Sequence, residues 1–262
     1  MQALEKLSSE KKNRIKCLFA DIDDTITTEG RLSALAYSAM ERWQNAGNLM
    51  IPITGRPAGW CDHIARMWPV DAVVGENGAF YFYYDNQKGR LQQRFLYDAD
   101  TREQNRFKMR AIREQVLAQV PGTGIASDQN YREADLAIDF CEDVNPLDNS
   151  AVDQIVEIME GGGMTAKISS IHVNGWFGDY DKLSMTKLLL KERFNVDLDL
   201  DKDRYAFVGD SPNDSPMFGY FPVSVGVRNI EDFVDRVEHK PAYITQLPAG
   251  AGFAELVDYL LA

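Results

Sequence analysis

The sequence predicts an α/β fold: a Rossmann-like parallel sheet, discontinuous in the chain and interrupted by a smaller α+β unit. Three observations predict it. Short apolar runs ending in polar residues, "RIKCLFAD", "LMIPIT" and "DRYAFVGD", read as buried strands. Amphipathic stretches between such runs read as the crossover helices that parallel strands require. Over residues 84–176 the pattern switches to alternating strands and a hairpin signal, then reverts.

The elements follow in order. Residues 1–14 read as a solvated leader, and "RIKCLFA" as the first strand. A helix covers "SALAYSAMERWQNAG", with Ser33 as N-cap and Gly47 just past its end. "LMIPI" is a second strand, "AGWCDHIARMW" a short helix and "DAVVG" a third strand. "AFYFYYDNQKGRLQQRFLY" then reads as a hairpin turning at "DNQKG". A charged helix over about 100–119, the alternating strand "ADLAIDFCE", a helix over about 148–160 and the alternating strand "MTAKISSIHVNGWF" complete an antiparallel sheet with helices on one face. The first pattern returns with the helix "DKLSMTKLLLKERF", the strand "DRYAFVGD", a short helix in "SPNDSPMFGYF", the strand "PVSVGV" and a closing helix, "GFAELVDYLLA". The expected division is a core of residues 1–83 and 177–262 around an insert of residues 84–176.

Composition sets the function classes. The chain has 262 residues, 45% of them hydrophobic, which is enough for one large or two modest packed domains. A net charge of −12 disfavours a nucleic-acid backbone or an anionic membrane as partner. A small anionic substrate stays compatible, because carboxylates that hold a cation make a local site for an anion. Cys17, Cys61 and Cys141 are far apart without CxxC spacing, as reduced thiols in a reducing compartment would be. The first residues contain no signal-type apolar segment, and no run approaches the ~20 residues of a membrane span. A cytoplasmic protein is expected. Nothing specifies an oligomeric state.

Ligands of open parallel sheets bind at the carboxyl ends of the strands. Asp21, Thr54 and Asp210 stand there. Asp21 and Asp23 lie on one side of the first strand's end, and Asp210 is followed by Ser211, Asn213 and Asp214. Any one of these residues could simply cap a helix. Carboxylates gathered at the ends of separate strands instead suit a hard divalent cation, and Mg²⁺ favours few carboxylates plus phosphate oxygens. Thr54 and Gly55 offer a hydroxyl and backbone N–H groups for a phosphate. Lys182, where the chain re-enters the core, offers positive charge.

These residues fall in four segments whose order and spacing resemble the motifs of the haloacid dehalogenase (HAD) superfamily: "DIDDT", "ITGRP", Lys182 in "DKLSMTK", and "VGDSPND". The insert, preceded by "VGENGAF", is similar to the type II cap of Cof-type and sucrose-phosphate-phosphatase-like enzymes. The resemblance implies that Asp21 is the nucleophile that forms an aspartyl-phosphate and that Asp23 is the general acid and base. It implies phosphoryl binding by Thr54, Gly55 and Lys182. It also implies Mg²⁺ held at Asp21, Asp23 and Asp210, with Asp214 and Asn213 in support. One departure stands out: Asp24 occupies a position that is most often glycine in the superfamily.

The implied activity is hydrolysis of a small phosphorylated metabolite, a sugar phosphate being favoured. A phosphomannomutase-like transfer back to the sugar uses the same residues. A catalytically silent binding protein is the remaining alternative. For substrate contacts, alternation in "AKISSIHVN" puts Ser170, His172 and Asn174 on one face of the insert's sheet. His172 is read either as a substrate contact or as a hinge residue. Leu136, Ile138 and Phe140 should face the helices, leaving Asp139 on the open face. Arg56 and Asn77 are further candidates beside the core site. Arg132 reads as a surface residue.

Overall fold

A computed structural model describes all 262 residues. Six parallel strands form the central sheet, in the spatial order Gln2–Ala3, Tyr243–Ile244, Val223–Gly226, Tyr205–Gly209, Cys17–Ala20 and Leu49–Pro52. The Cys17–Ala20 and Tyr205–Gly209 strands are buried at every position, which is why each reads as an unbroken apolar run. Alternation divides their side chains between the two faces. Leu18 and Ala20 join a core with Met40 and Trp43 of the Ala34–Asn45 helix and with Phe253 and Val257 of the Ala249–Leu261 helix. Cys17 and Phe19 join a second core with Met185 and Leu189 of the Lys182–Phe194 helix. Because the strands are parallel, everything that follows Ala20, Pro52 and Gly209 emerges at the same edge of the sheet. No helix is long and apolar enough to cross a membrane.

Ser33 caps the Ala34–Asn45 helix, its hydroxyl accepting from the Ala36 N–H, and Gly47 follows in a left-handed conformation, φ +81°. The first residues differ from expectation. Gln2–Ala3 adds an edge strand beside Tyr243–Ile244, and Leu4 and Leu7 are buried behind it. Two apolar side chains are enough to dock a segment that reads as polar overall.

The aromatic hairpin is also placed differently. Val73–Gly75 continues the central sheet through a parallel bridge between Ile53 and Val74, and Phe80–Asp85 and Arg90–Phe95 extend it antiparallel. The hairpin therefore belongs with the parallel sheet and forms no part of the inserted one. Phe80 and Phe82 stack on each other and bury themselves with Cys61 and Ile64 of the Ala58–Met67 helix, which fixes the hairpin there.

The inserted sheet has four antiparallel strands in the order Gly124–Ile125, Asp135–Asp139, His172–Trp176 and Thr165–Ile168. The Ala99–Gln119 and Asn149–Gly161 helices cover one face, packing Ile112, Val116, Val152 and Ile155 on Leu136, Ile138 and Val173. The other face carries Asp135, Asp139, His172 and Asn174. The segment expected to be one long strand is a hairpin. The Ser169 hydroxyl accepts from the N–H groups of Ile171 and His172 and turns the chain, so Ser170 sits in the turn instead of on the sheet face.

One turn fixes the return of the chain from insert to core. Glu76, Asn77 and Gly78 all have positive φ, at 43°, 53° and 111°. A Cβ on Gly78 would lie 2.1 Å from the Asp181 carbonyl oxygen, so the turn lies directly against the start of the Lys182–Phe194 helix. Gly78→Ala is expected to lower the unfolding free energy by about 2 kcal/mol or more, read from urea denaturation. Unchanged stability would contradict this packing.

Candidate active site

Asp21 directly follows the Cys17–Ala20 strand, and its N–H bonds to the Val208 carbonyl, prolonging the sheet. Asp210 follows the neighbouring strand. Asp214 comes one short turn later, at the end of the Pro212–Asp214 segment. Each of the three buried aspartates offers a carboxylate oxygen within 4.8 Å of the others. Lys182 Nζ donates to Asp21 Oδ1 and to Asp214 Oδ1, both at 2.7 Å, across 161 residues of sequence in the first case. Asp214 Oδ2 accepts from the N–H groups of Asp210 and Ser211. Asp210 accepts from Thr25 Oγ1 at 3.1 Å and Asn229 Nδ2 at 3.2 Å.

The electrostatics follow from burial. Burial, with Asp214 and Asp23 nearby, raises the Asp21 pKa to about 8 against the pull of Lys182. Burial, with Asp21 and Asp214 close by, raises Asp210 well above the usual carboxylate range. Burial lowers Lys182, but Asp21 and Asp214 more than offset that, so the net shift is upward and the lysine stays charged. One ammonium thus contacts two of the three buried carboxylates and leaves Asp210 without a cation. An all-oxygen donor set this compact and this short of positive charge fits a hard divalent cation. Asp21 Oδ2 has no partner and each Asp210 oxygen accepts a single hydrogen bond, so both residues could ligate it. Both oxygens of Asp214 are already engaged by Lys182 and backbone N–H groups. The Asp23 carboxylate lies outside the cluster, paired with Arg56.

Thr54 is fully buried, and its hydroxyl oxygen accepts from the Arg56 N–H at 3.0 Å, leaving its own proton free to donate. Gly55 threads between core and insert: a Cβ there would lie 3.2 Å from Asn77 Nδ2 and 3.6 Å from Asn174 Oδ1. Asn77 Oδ1 accepts from Asn213 Nδ2 at 3.3 Å, whereas Asn77 Nδ2 is buried without a partner. Asp24 has φ +53°, in the left-handed region that glycine enters freely and aspartate tolerates, which accounts for the residue type found there. Burial and Asp23 raise the Asp24 pKa, while the Ser170 hydroxyl and the Glu29 backbone pull it down.

Arg56 bridges the two sheets. Its guanidinium meets Asp23 at 2.8 Å, Asp128 at 3.2 Å and Glu142 at 2.7 Å. Arg132, expected at the surface, is buried instead. It pairs with both carboxylate oxygens of Asp128 and of Asp135 and donates to the Gly55 carbonyl at 2.8 Å, so five oxygen partners compensate its desolvation. Asn174 donates to Asp135 at 2.9 Å, and His172 Nε2 lies 2.9 Å from Glu142 Oε2. Asp139 does not face open solvent: it accepts from the N–H groups of Cys141, Glu142 and Asp143 and so positions Glu142. Glu76 accepts from Ala58 N–H in the core and from Glu133 and Ala134 N–H in the insert. Between these residues a cavity of about 10 Å³ remains, room for roughly one water.

The sequence reading passed over Thr25, Asn229, Glu76, Asp128 and Glu142. Thr25, inside "DIDDT", was within reach of it. The others pair over long sequence distances and carry no local signal.

The pH response of the bridge follows from Glu142. Burial raises its pKa, but the close approach of His172 and the hydrogen bonds from Arg56 outweigh this and depress it to about 2 from an ordinary 4.5. A depressed carboxylate contributes stability that is complete above its unfolded pKa and lost as pH falls through the folded one. Glu142→Gln is expected to be less stable than the parent near neutrality, the gap closing as pH falls from 4.5 towards 2. Urea denaturation at several pH values checks this, and a pH-independent gap would contradict it.

No protein-family model matches the chain, and no curated protein matches it. Solved structures do. A protein of Thermoplasma acidophilum is 19% identical with a TM-score of 0.69, over 94% of this chain and 98% of that one. The sucrose-phosphatase of Synechocystis, solved with sucrose and phosphate, is 16% identical with a TM-score of 0.63, over 95% and 98%. A phosphatase of the haloalkanoate (HAD) enzyme superfamily from Bacteroides thetaiotaomicron is 15% identical with a TM-score of 0.62, over 97% and 98%. At these identities the likeness is one of architecture, and it extends over nearly the whole of each chain. The parallel sheet with its inserted α+β unit is therefore the fold of the HAD-superfamily phosphatases.

Proposed function

We propose that the protein is a Mg²⁺-dependent phosphatase of the HAD type that hydrolyses a small phosphate monoester, favouring a sugar phosphate. The observation that carries this reading is the trio Asp21, Asp210 and Asp214, buried within 4.8 Å at the carboxyl edge of a parallel sheet and served by one buried lysine. Neighbouring folds described as a sugar phosphatase and a sucrose-phosphatase support the substrate class.

Asp21 is the proposed nucleophile. Lys182 occupies its Oδ1 and leaves Oδ2 to attack phosphorus, forming an aspartyl-phosphate. Asp23 would protonate the leaving oxygen and then take a proton from the attacking water. Thr54, Gly55, Lys182 and the Asn77 amide would hold phosphoryl oxygens, a reading that the free Thr54 proton and the unpartnered Asn77 Nδ2 support. Asp21, Asp210 and the Asp23 main chain would hold the metal, with Asp214 and Asn213 orienting the site from behind. Bound Mg²⁺ supplies the positive charge that lets carboxylate and phosphate approach each other.

The four-stranded sheet and its two helices, about residues 98–176, would act as the cap. It lies closed, held by Arg56 to Asp128 and Glu142. With so little space beneath it, substrate entry requires the cap to lift, and closure then excludes water.

A screen of phosphorylated metabolites with Mg²⁺, reading released inorganic phosphate, tests the proposal. Asp21→Asn is expected to lower the rate on the best ester by about 10³-fold or more. Activity surviving this change would overturn the mechanism. An isomerised sugar phosphate without phosphate release would identify a mutase instead.

A further inference from the structure

The inserted sheet has a gap at its outer edge that the catalytic scheme above does not use. The Gly124–Ile125 strand pairs only with Ile138 and Asp139, so it leaves its neighbour's edge uncovered towards Asp135. The Gln129 side chain takes the place of a strand there, donating to the Asp135 carbonyl and accepting from the Ala137 N–H. Between this edge and the Ala99–Gln119 helix lies a cavity of about 410 Å³. Four arginines line it, Arg106, Arg110, Arg113 and Arg132, against two carboxylates, Glu133 and Asp135. We propose that this cavity binds a small polyanion, one carrying at least two carboxylate or phosphate groups, at a place separate from the Asp21 site. The proposal does not depend on the phosphatase reading.

Three observations converge on it. First, the lining holds positive charge that the protein does not use. Arg132 is spent on Asp128 and Asp135, and Arg106 donates to Glu133 Oε2 at 2.9 Å. Arg110 has no carboxylate partner, and Arg113 has only a loose approach to Glu114 at 3.9 Å. Two guanidinium groups thus stay unspent in a chain with 40 acidic residues against 28 basic ones. Second, Arg106, Arg110 and Arg113 stand at i, i+4 and i+7 on one helix face, where like charges repel and the helix gains nothing from them. A plain solvated face would splay them into water, yet Arg106 and Arg113 are half-buried along the cavity. Third, the chemistry selects the occupant. A guanidinium presents a planar fork that matches carboxylate and phosphate oxygens. Only Met109 and Leu136 supply apolar surface, so the ligand is polar, and the volume lies at the lower end of small-molecule pockets. The inner wall is also where the insert is fastened to the core. Arg132 donates there to the Gly55 carbonyl, and the Glu133 N–H donates to Glu76. An occupant would touch that joint from outside.

The test is isothermal titration calorimetry of the full-length, metal-free protein with citrate, inorganic pyrophosphate and acetate as separate probes. Citrate or pyrophosphate is expected to saturate one site per chain, roughly tenfold or more tightly than acetate. The tighter of the two identifies carboxylate or phosphate as the recognised group. The double variant Arg110→Ala, Arg113→Ala is expected to bind that probe about tenfold or more weakly. The double variant Lys187→Ala, Lys191→Ala removes the same charge from a core helix and is expected to leave the affinity unchanged. Equal losses in the two double variants would reduce the binding to general electrostatics, and no loss in the arginine variant would place it elsewhere, at the Asp21 site for example. Either result overturns the proposal, as does absence of saturable binding by both polyanions. Acetate binding as tightly as they do overturns the ligand class. Alanine favours a helix and relieves the repulsion, so the arginine variant is expected to unfold at the parent's urea concentration or higher. A lower midpoint would make the arginines structural supports and also overturn the proposal.

Discussion

Three carboxylates buried together, two of them paired with one ammonium, form the constraint on which the rest of the structure depends. Burial penalises each charge, and mutual repulsion adds to the penalty. Such a cluster persists only where the backbone leaves it no alternative. Two adjacent parallel strands, paired Phe19 to Phe207 and Ala20 to Val208, deliver Asp21 and Asp210 to one edge. The Lys182–Phe194 helix must bring its first residue to the same place. Its start is fixed by the reciprocal Asp181–Ser184 cap and by the close approach of Gly78 to the Asp181 carbonyl. Both hydrophobic cores thus serve one purpose, which is to hold three strand and helix ends in register around a charge deficit.

The same logic governs the inserted unit. Arg56, two residues beyond Thr54, gathers Asp23 from the core and Asp128 and Glu142 from the insert. Arg132 answers from the other side with its bond to the Gly55 carbonyl. Two arginines therefore tie the Thr54–Arg56 loop to the insert, and an aspartate proposed for proton transfer is one of the partners. The position of the insert and the environment of Asp23 are coupled through a single guanidinium.

Much of this was legible in the sequence. Strands buried on both faces read as apolar runs, and the polar residues at their ends stand out because several gather there, where any one alone could be a helix cap. Asp21, Thr54 and Asp210 stand out on that basis, Lys182 because it opens the helix where the chain re-enters the core, and the structure brings Asp21, Lys182, Asp210 and Asp214 together. Other features left no local trace. Arg56 meets Asp128 and Glu142 across 72 and 86 residues, and nothing near Arg132 distinguishes a buried arginine from a solvated one. A hairpin signal identifies two strands without saying which sheet they join. The alternation of "AKISSIHVN" slips by one residue at Ser169–Ser170, where two polar residues adjoin and the chain turns, a break that reading the segment as one strand passes over. Gln2–Ala3 is too short to show any period at all.

The most direct test of the central claim, that a divalent cation completes the carboxylate cluster, is isothermal titration calorimetry of Mg²⁺ into the metal-free protein and its Asp210→Asn variant. Saturable binding of one Mg²⁺ per chain is expected for the parent, weakened roughly tenfold or more in the variant. Absence of binding to the parent, or undiminished affinity in Asp210→Asn, would contradict it.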